Sequence, residues 1–236
     1  TQMEPRPPQP RTAMDHVELK PYPFPAGMEI PRLMPAQEFP WNGDGYLAAE
    51  VLRLKAVHGL EVAIETGTCL GSTALWLAEN FSLVDTCEIN PEYYKIAAAR
   101  LGCDTEMDCG ASGIEPMVNI ENMDSQDALE LFVQSTLCES VFVFLDAHWN
   151  DHCPLLEEIE IIAELGAKPC IIIHDFQVPG TTFGFDSMPD GTPFHLELVA
   201  PYMDAIYGTN GWVVNYPTKV EGAMRGWASF APVAKG

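Results

Sequence analysis

The chain has 236 residues and a hydrophobic fraction of 47%, which suits one large globular domain or one domain with an appendage. Its 34 acidic residues outnumber its 12 basic residues, so the formal net charge is −22. A field of this sign repels phosphate backbones and anionic lipid surfaces, so we expect neither a nucleic acid nor a membrane as a partner.

The sequence carries no sign of export. No apolar run is long enough to cross a membrane, and the N-terminus lacks the pattern of a signal peptide. The seven cysteines have an odd count and irregular spacings, which are not typical of a disulfide framework. We therefore expect a cytoplasmic protein with reduced thiols.

Residues 1–40 hold ten of the twenty prolines. Proline fixes φ and removes a backbone donor, so this segment is predicted to be an extended arm and neither a helix nor a central strand. Its Tyr22 and Phe24, with Trp41 just after it, make the arm too apolar for a free tail. We expect it to lie against the remaining domain, residues 41–236, or against a second subunit in a homodimer.

From about Gly43 onward, helical and strand patterns alternate. The helical spacing of apolar residues predicts helices over 47–58, 72–80, 91–101, 127–136, 154–165 and 196–206. Short apolar runs predict strands over 62–64, 83–87, 117–123, 141–145, 170–173, 212–215 and 226–230, and 102–116 is predicted to be a loop insertion. This alternation indicates an α/β fold with a mostly parallel sheet. The last connection is too short for a helical crossover, so the final pair is predicted to be antiparallel.

Polar residues collect where the predicted strands end, and ligands of open α/β sheets bind at that edge. In chain order they are Glu65, Gly67 and Gly71, then Glu88, then Asp124, then Asp146 and His148, and finally His174 and Asp175.

The first of these strand ends begins a glycine loop, Glu65-Thr-Gly-Thr-Cys-Leu-Gly-Ser72. Two glycines four residues apart let the backbone turn tightly and approach a ligand closely. An acid before the loop is unfavourable for a phosphate and suits a positive group such as an amine or a sulfonium. Glu88 follows Glu65 near the ~20-residue offset at which an acid binds ribose hydroxyls.

At these residues the chain resembles the class I S-adenosylmethionine-dependent methyltransferases, in the form of their small-molecule O-methyltransferases. The resemblance covers residues 43–232 and implies a Rossmann-like, doubly wound, mostly parallel seven-stranded sheet with an antiparallel last strand. It also implies transfer of a methyl group from S-adenosylmethionine to a small-molecule acceptor, at a hydroxyl oxygen. The loop lacks the third glycine of the commonest motif.

The resemblance assigns a role to each residue that matches the motif. Glu65, Gly67 and Gly71, with the loop residues Thr68 and Ser72, would hold the methionine part of the donor. Glu88 would hold the ribose, and Asp124 with Ser125 would hold the adenine.

In the metal-dependent O-methyltransferases, acids at the ends of strands four and five hold Mg²⁺, and Asp146 and Asp175 occupy matching positions. The family has a further Asp or Asn directly after the second acid, where this chain has Phe176. Imidazole ligands would favour Zn, Mn or Fe over Mg. A divalent-metal site, with Mg²⁺ or Mn²⁺, and a metal-free site therefore both stay open.

Transfer to a hydroxyl requires a base, and histidine titrates nearest to neutral pH. His148 or His174, beside Asp146, is therefore predicted to take the acceptor's proton. The Gly- and Pro-rich segment 177–192 is predicted to be either a lid over the strand ends or an ordinary surface loop.

Two other functions fit the same pattern. One is a metal-dependent hydrolase or oxygenase that uses Asp146, His148 and His174 on the same fold. The other is a protein that binds the cofactor without transferring its methyl group.

Overall fold

The computed structural model describes residues 16–22, 24, 35–103, 117–135, 140–148 and 152–233. Within these ranges one seven-stranded sheet has the strand order β3-β2-β1-β4-β5-β7-β6. The strands are β1 (Val62–Thr66), β2 (Leu83–Cys87), β3 (Met117–Glu121), β4 (Val141–Leu145), β5 (Cys170–His174), β6 (Trp212–Asn215) and β7 (Trp227–Pro232).

Six α-helices accompany the strands in the described part of the chain. They are α1 (Gly45–His58), α2 (Ser72–Asn80), α3 (Pro91–Leu101), α4 (Ser125–Ser135), α5 (Leu155–Glu164) and α6 (Leu196–Tyr207). Local signals fix their ends: the Asp44 side chain accepts hydrogen bonds from the first turn of α1, and Gly59 ends that helix at φ +64°. Asn90 caps α3 in the same way, and Pro91 follows it at the first helical position.

Strands β1 to β5 pair in parallel, so their carboxyl ends share one edge of the sheet. Strand β7 runs antiparallel to both β5 and β6. These pairings confirm the prediction of a mostly parallel, doubly wound sheet with an antiparallel end.

Each face of the sheet is covered by a separate apolar cluster. Phe142 and Phe144 of β4 pack on one face with residues of α1, α2 and α3. Val143 and Leu145 point to the other face and pack with α4, α5 and α6. Burial on both faces explains why these strands are continuously apolar in sequence.

Element boundaries differ from the predicted ones by a few residues. Helix α4 begins at Ser125, two residues earlier than predicted, and Asp124 accepts a hydrogen bond from the backbone N–H of Gln126 in its first turn. Strand β3 ends at Glu121, and β7 extends to Pro232. Of the predicted loop insertion, 104–116 lies outside the described residues.

The described parts of the arm lie against the domain. The backbone N–H of Val17 donates to the carbonyl of Gly45 at 3.3 Å, and the guanidinium of Arg100 donates to the carbonyl of Tyr22 at 3.0 Å. Trp41 is buried, with its ring centroid 4.9 Å from that of Phe144. Short 3₁₀ turns form over Pro35–Glu38 and Pro40–Gly43, since proline is tolerated at the start of a helical turn. The domain boundary at residue 40 and the homodimer stay predictions.

The described residues can be compared with two expectations from the composition, which concern membrane-spanning helices and cysteines. None of the helices there is both long enough and apolar enough to cross a membrane. The five described cysteines, Cys69, Cys87, Cys103, Cys153 and Cys170, are free thiols.

Candidate functional site

The glycine loop after β1 crosses the end of β4 at very short range. Gly67 has φ +81°, a conformation that side chains disfavour, and a Cβ atom there would lie 2.7 Å from the carbonyl oxygen of Asp146. Gly71 has φ +82° and caps the start of α2. Glycine at position 67 therefore lets the loop lie directly on the strand end that carries Asp146.

Glu65 is fully buried beneath this loop. The Thr86 hydroxyl donates to its carboxylate at 2.7 Å, and the Thr68 hydroxyl bonds to Thr86 in turn. Burial raises the pKa of Glu65 to about 8, against the Thr86 hydrogen bond and with support from the nearby charges of Asp146 and Glu88. A positive group placed beside Glu65 would favour its ionised form.

Glu88 ties the loop to the end of β2. Its two carboxylate oxygens accept hydrogen bonds from the backbone N–H groups of Cys69 at 2.7 Å and Asn90 at 2.8 Å. Burial raises the pKa of Glu88 in spite of these two hydrogen bonds. Glu65, Gly67, Thr68 and Glu88 therefore form one connected site.

The remaining residues assigned to the donor lie at the margins of this site. Asp124 and Ser125 stand at the start of α4, where Asp124 lies 3.4 Å from the ring of His152. Ser72 donates its hydroxyl to the carbonyl of Gln37 at 3.1 Å and accepts from Arg100 at 3.1 Å. The Ser72 hydroxyl thus joins the arm to the domain.

A second cluster lies at the ends of β4 and β5. The ring of His174 bonds to Asp146 at 3.0 Å, and the ring of His148 bonds to Asp175 at 3.0 Å. Nε2 of His148 also lies 3.9 Å from the carboxylate of Asp146. The side chain of His174 is 3% exposed, that of His148 is 6% exposed and that of Asp146 is 21% exposed. Asp146 is therefore the most accessible of the three residues predicted to be catalytic.

The carboxylates determine the protonation of both histidines. Burial opposes a charge on His174, but Asp146 and Asp175 outweigh it and raise its pKa well above the usual value. The balance is the same for His148, whose pKa is raised mainly by Asp175. The pKa of Asp175 is held far below its usual range because His174, His148 and Arg225 together outweigh its burial.

Two members of this cluster carry no signal in the sequence. Arg225, just before β7, forms ion pairs with both Asp175 and Asp186. Asp186 lies in the segment predicted to be a lid or a loop, and its carboxylate is 3.6 Å from Nε2 of His148. Arg225 and Asp175 lie 50 residues apart, so no local sequence pattern predicts their ion pair. They meet because β7 runs antiparallel beside β5.

Glu158 is a further buried acid that the sequence did not single out. It lies on α5 with 1% of its surface exposed. Burial raises its pKa to about 7, although the neighbouring Ser125, Thr66 and His148 act to lower it. The next turn of α5 carries a similar acid at the surface, so the sequence pattern does not mark Glu158 as buried.

The donor set for a divalent metal is a poor match. One oxygen or nitrogen from each of Asp146, His148 and Asp175 lies within 4.8 Å of the others, which is the spacing a metal needs. However, Asp175 already pairs with the permanent cation of Arg225, and Asp146 pairs with His174. Phe176, where the metal-dependent methyltransferases have another acid or amide, is fully buried in the apolar core. A divalent ion would therefore have to displace or tolerate a neighbouring guanidinium.

Comparison with known proteins gives a match at the level of structure only. No protein-family model matches the chain. No curated protein sequence matches it either. A candidate O-methyltransferase from Klebsiella pneumoniae aligns with a TM-score of 0.53 at 15% identity, over 89% of this chain and 84% of that one.

Other solved structures are similar to the chain at the same level. Streptomyces venezuelae DesVI aligns with a TM-score of 0.50 at 12% identity, over 79% of this chain and 90% of that one. A candidate caffeoyl-CoA O-methyltransferase from Staphylococcus aureus aligns with a TM-score of 0.49 at 15% identity, over 79% and 83%. With the strand order 3-2-1-4-5-7-6 and the antiparallel β7, the chain has the Rossmann-like fold of the class I methyltransferases.

Proposed function

We propose that this protein transfers a methyl group from S-adenosylmethionine to a hydroxyl oxygen of a small molecule. The observation that carries the proposal is the glycine loop of 65–72, which lies on two buried acids at the carboxyl edge of a methyltransferase-type sheet. That edge is where open α/β sheets bind their ligands.

The residues around the loop fit the parts of such a donor. Gly67 and Gly71 leave room for close backbone approach, and Glu65 offers a carboxylate that a sulfonium would ionise. Glu88 would accept hydrogen bonds from the ribose hydroxyls, and Asp124 with Ser125 lies one strand further along for the adenine. When bound, the donor supplies an electrophilic methyl group.

The second cluster would handle the acceptor. Asp146 is partly exposed and touches the glycine loop through its backbone, so the acceptor hydroxyl would lie against its carboxylate. His174, whose ring bonds to Asp146 at 3.0 Å, would hold that carboxylate in place. His148 would take the acceptor's proton at Nδ1, because Nε2 donates to the carboxylate of Asp175, which stabilises the imidazolium that forms.

The test is a titration of the full chain with S-adenosylmethionine, followed by an assay for S-adenosylhomocysteine over phenols, catechols and aliphatic alcohols. Saturable binding and formation of S-adenosylhomocysteine with one acceptor class support the proposal. Absence of donor binding would favour a hydrolase or oxygenase on the same fold. Binding without transfer to any acceptor would favour a non-catalytic cofactor-binding protein.

Glu88→Ala is expected to weaken donor binding about 10- to 100-fold, because a charged hydrogen bond is worth roughly 1.5–3 kcal/mol. Titration calorimetry with S-adenosylmethionine measures the change. Glu92→Gln is the control, since Glu92 is an exposed acid of the neighbouring helix that pairs with Lys95. Equal affinities in Glu88→Ala and the native protein would mean that Glu88 does not contact the donor.

His148→Gln is expected to lower turnover about 10²- to 10⁴-fold, the usual contribution of a general base, with donor affinity unchanged. The rate of the native protein should rise with pH through the raised pKa of His148, because only the neutral ring accepts a proton. His58→Gln is the control, since His58 ends α1 at the opposite edge of the sheet. A variant at position 148 with native turnover would remove His148 from the mechanism.

A further inference from the structure

We propose that Arg225 is a positioning residue that supplies a built-in positive charge where a divalent ion would otherwise bind, and that it fastens the segment 177–194 across the strand ends. This inference deepens the proposed function and rests on it for the role of the Asp146–His148–Asp175 cluster. The structural part of this proposal depends only on the contacts of Arg225.

The sheet register brings Arg225 to the place where the sequence lacks an acid. His174 of β5 pairs with Trp227 of β7, and the backbone N–H of Phe176 donates to the carbonyl of Gly226 at 3.0 Å. Arg225 therefore reaches the end of β5 from the neighbouring antiparallel strand. Phe176 turns its ring into the apolar core, while Arg225 contributes a charged group at the same strand end.

The guanidinium joins two carboxylates from different elements. Its Nε atom donates to Oδ1 of Asp175, and its Nη2 atom donates to Oδ1 of Asp186. The other oxygen of Asp175 remains for His148, at 3.0 Å. Arg225 thus fixes the rotation of the Asp175 carboxylate that holds His148.

The loop is shaped to admit this side chain. A Cβ atom at Gly184 would lie 2.9 Å from Cδ of Arg225 and 3.2 Å from its Nη1 atom, so a side chain there would displace the guanidinium. The backbone N–H of Gly184 donates to Met224 at 2.9 Å, and that of Gly226 donates to Gly184 at 2.8 Å. The backbone N–H of Asp186 donates to the carbonyl of Asp175 at 2.8 Å. The segment is therefore bonded to the residue that follows β5 and to residues that precede β7.

The cluster contains several carboxylates, and a nearby cation lowers the repulsion between them. Three carboxylates, those of Asp175, Asp186 and Asp146, lie 3.0, 3.6 and 3.9 Å from Nε2 of His148. Carboxylates gathered around one nitrogen repel one another unless positive charge is placed among them. Arg225 keeps its charge at every working pH, so it relieves the repulsion without a metal. A divalent ion would compete with it for Asp175.

The experiment compares the native chain with Arg225→Met and Arg225→Lys. Thermal unfolding and electron paramagnetic resonance with Mn²⁺ as the probe report metal binding. We expect no specific Mn²⁺ site in the native protein or in Arg225→Lys. We expect Arg225→Met to gain a site that the added change Asp175→Asn abolishes, because Asp175 and Asp186 then lack the guanidinium that pairs with them.

Chymotrypsin gives an independent readout of the fastening role, since Phe183 and Phe185 lie in the segment and Phe185 is 39% exposed. Cleavage there should become at least about tenfold faster in Arg225→Met and in Asp186→Asn. The control is Lys95→Met, which breaks an exposed lysine–glutamate pair on α3 and should change neither Mn²⁺ binding nor cleavage of the segment. Asp186→Asn keeps the test decisive should Arg225→Met fail to fold.

A native Mn²⁺ site that Asp175→Asn abolishes would overturn the cation role. Native cleavage rates in Asp186→Asn, and in Arg225→Met where it folds, would overturn the fastening role. Neither readout uses methyl transfer. A protein that shows both expected results but does not bind S-adenosylmethionine would contradict the proposed function and leave the role of Arg225 standing.

Discussion

Gly67→Ala is expected to abolish measurable donor binding, with a loss of more than about 100-fold, and to lower the free energy of unfolding by about 2–4 kcal/mol. Two costs add at this position. Alanine at φ +81° is strained by about 1–2 kcal/mol, and its Cβ would lie 2.7 Å from the carbonyl oxygen of Asp146. Both contacting groups are backbone, so the loop itself must move, and it would leave the position that Glu88 now fixes.

Gly59→Ala separates these two costs. Gly59 has φ +64° but no atom within 4 Å of the position of a Cβ, so only the backbone strain applies. We expect a loss of about 1–2 kcal/mol in unfolding free energy and native donor affinity. Urea unfolding and calorimetric titration of both variants measure the difference. Native donor affinity in a folded Gly67→Ala protein would show that the donor does not lie on this loop.

The main elements could be predicted because each depends on a short stretch of chain. Val141–Leu145 is continuously apolar because helices cover both faces of β4. Helix α1 ends at Gly59 because glycine adopts a positive φ at little cost. The antiparallel β7 followed from the length of one connection. In these cases the signal lies within a few residues of the structure that it specifies.

The candidate site could be predicted only where its residues follow strands. Asp146 and Asp175 directly follow β4 and β5, so the parallel sheet brings them together. Arg225 and Asp186 join them through a long loop and an antiparallel return, which no local pattern encodes. Ser72 was predicted to hold the donor because it ends the glycine loop in sequence. In the structure its hydroxyl bonds to the arm.

The free energy of unfolding is expected to fall as the pH rises from about 5 to about 9, a direction opposite to that of an ordinary acidic protein. The pKa of Glu65 is about 8 in the folded protein against 4.5 normally, so the folded state binds more protons between these values. Glu158, with a pKa of about 7, acts in the same direction. His174 does too, because its raised pKa gives stability below pH 6.5 that is lost as the pH rises through the folded value. Asp175 is ionised throughout this range and adds no slope.

Glu65→Gln should remove a larger part of this slope than a matching change at Glu158 would. Each pKa unit corresponds to about 1.4 kcal/mol, so the variant should be more stable than the native protein at pH 9 by roughly 2–4 kcal/mol and nearly equal to it at pH 5. Glu92→Gln, at an exposed site, should leave the native slope unchanged. Urea unfolding at several pH values measures all three proteins, and equal slopes in Glu65→Gln and the native chain would contradict the assignment.

The same carboxyl couples donor binding to protons. A sulfonium beside Glu65 favours the carboxylate, so binding near pH 7 must release a proton from a group whose pKa is about 8 in the free protein. We expect the affinity for S-adenosylmethionine to rise between pH 7 and pH 9 in the native protein and to stay flat in Glu65→Gln. Calorimetry in two buffers of different ionisation enthalpy counts the released protons directly. A native protein that binds the donor without releasing protons would place the sulfonium away from Glu65, and the charge that the glycine loop accommodates would then have to be met by Glu88 or Asp146.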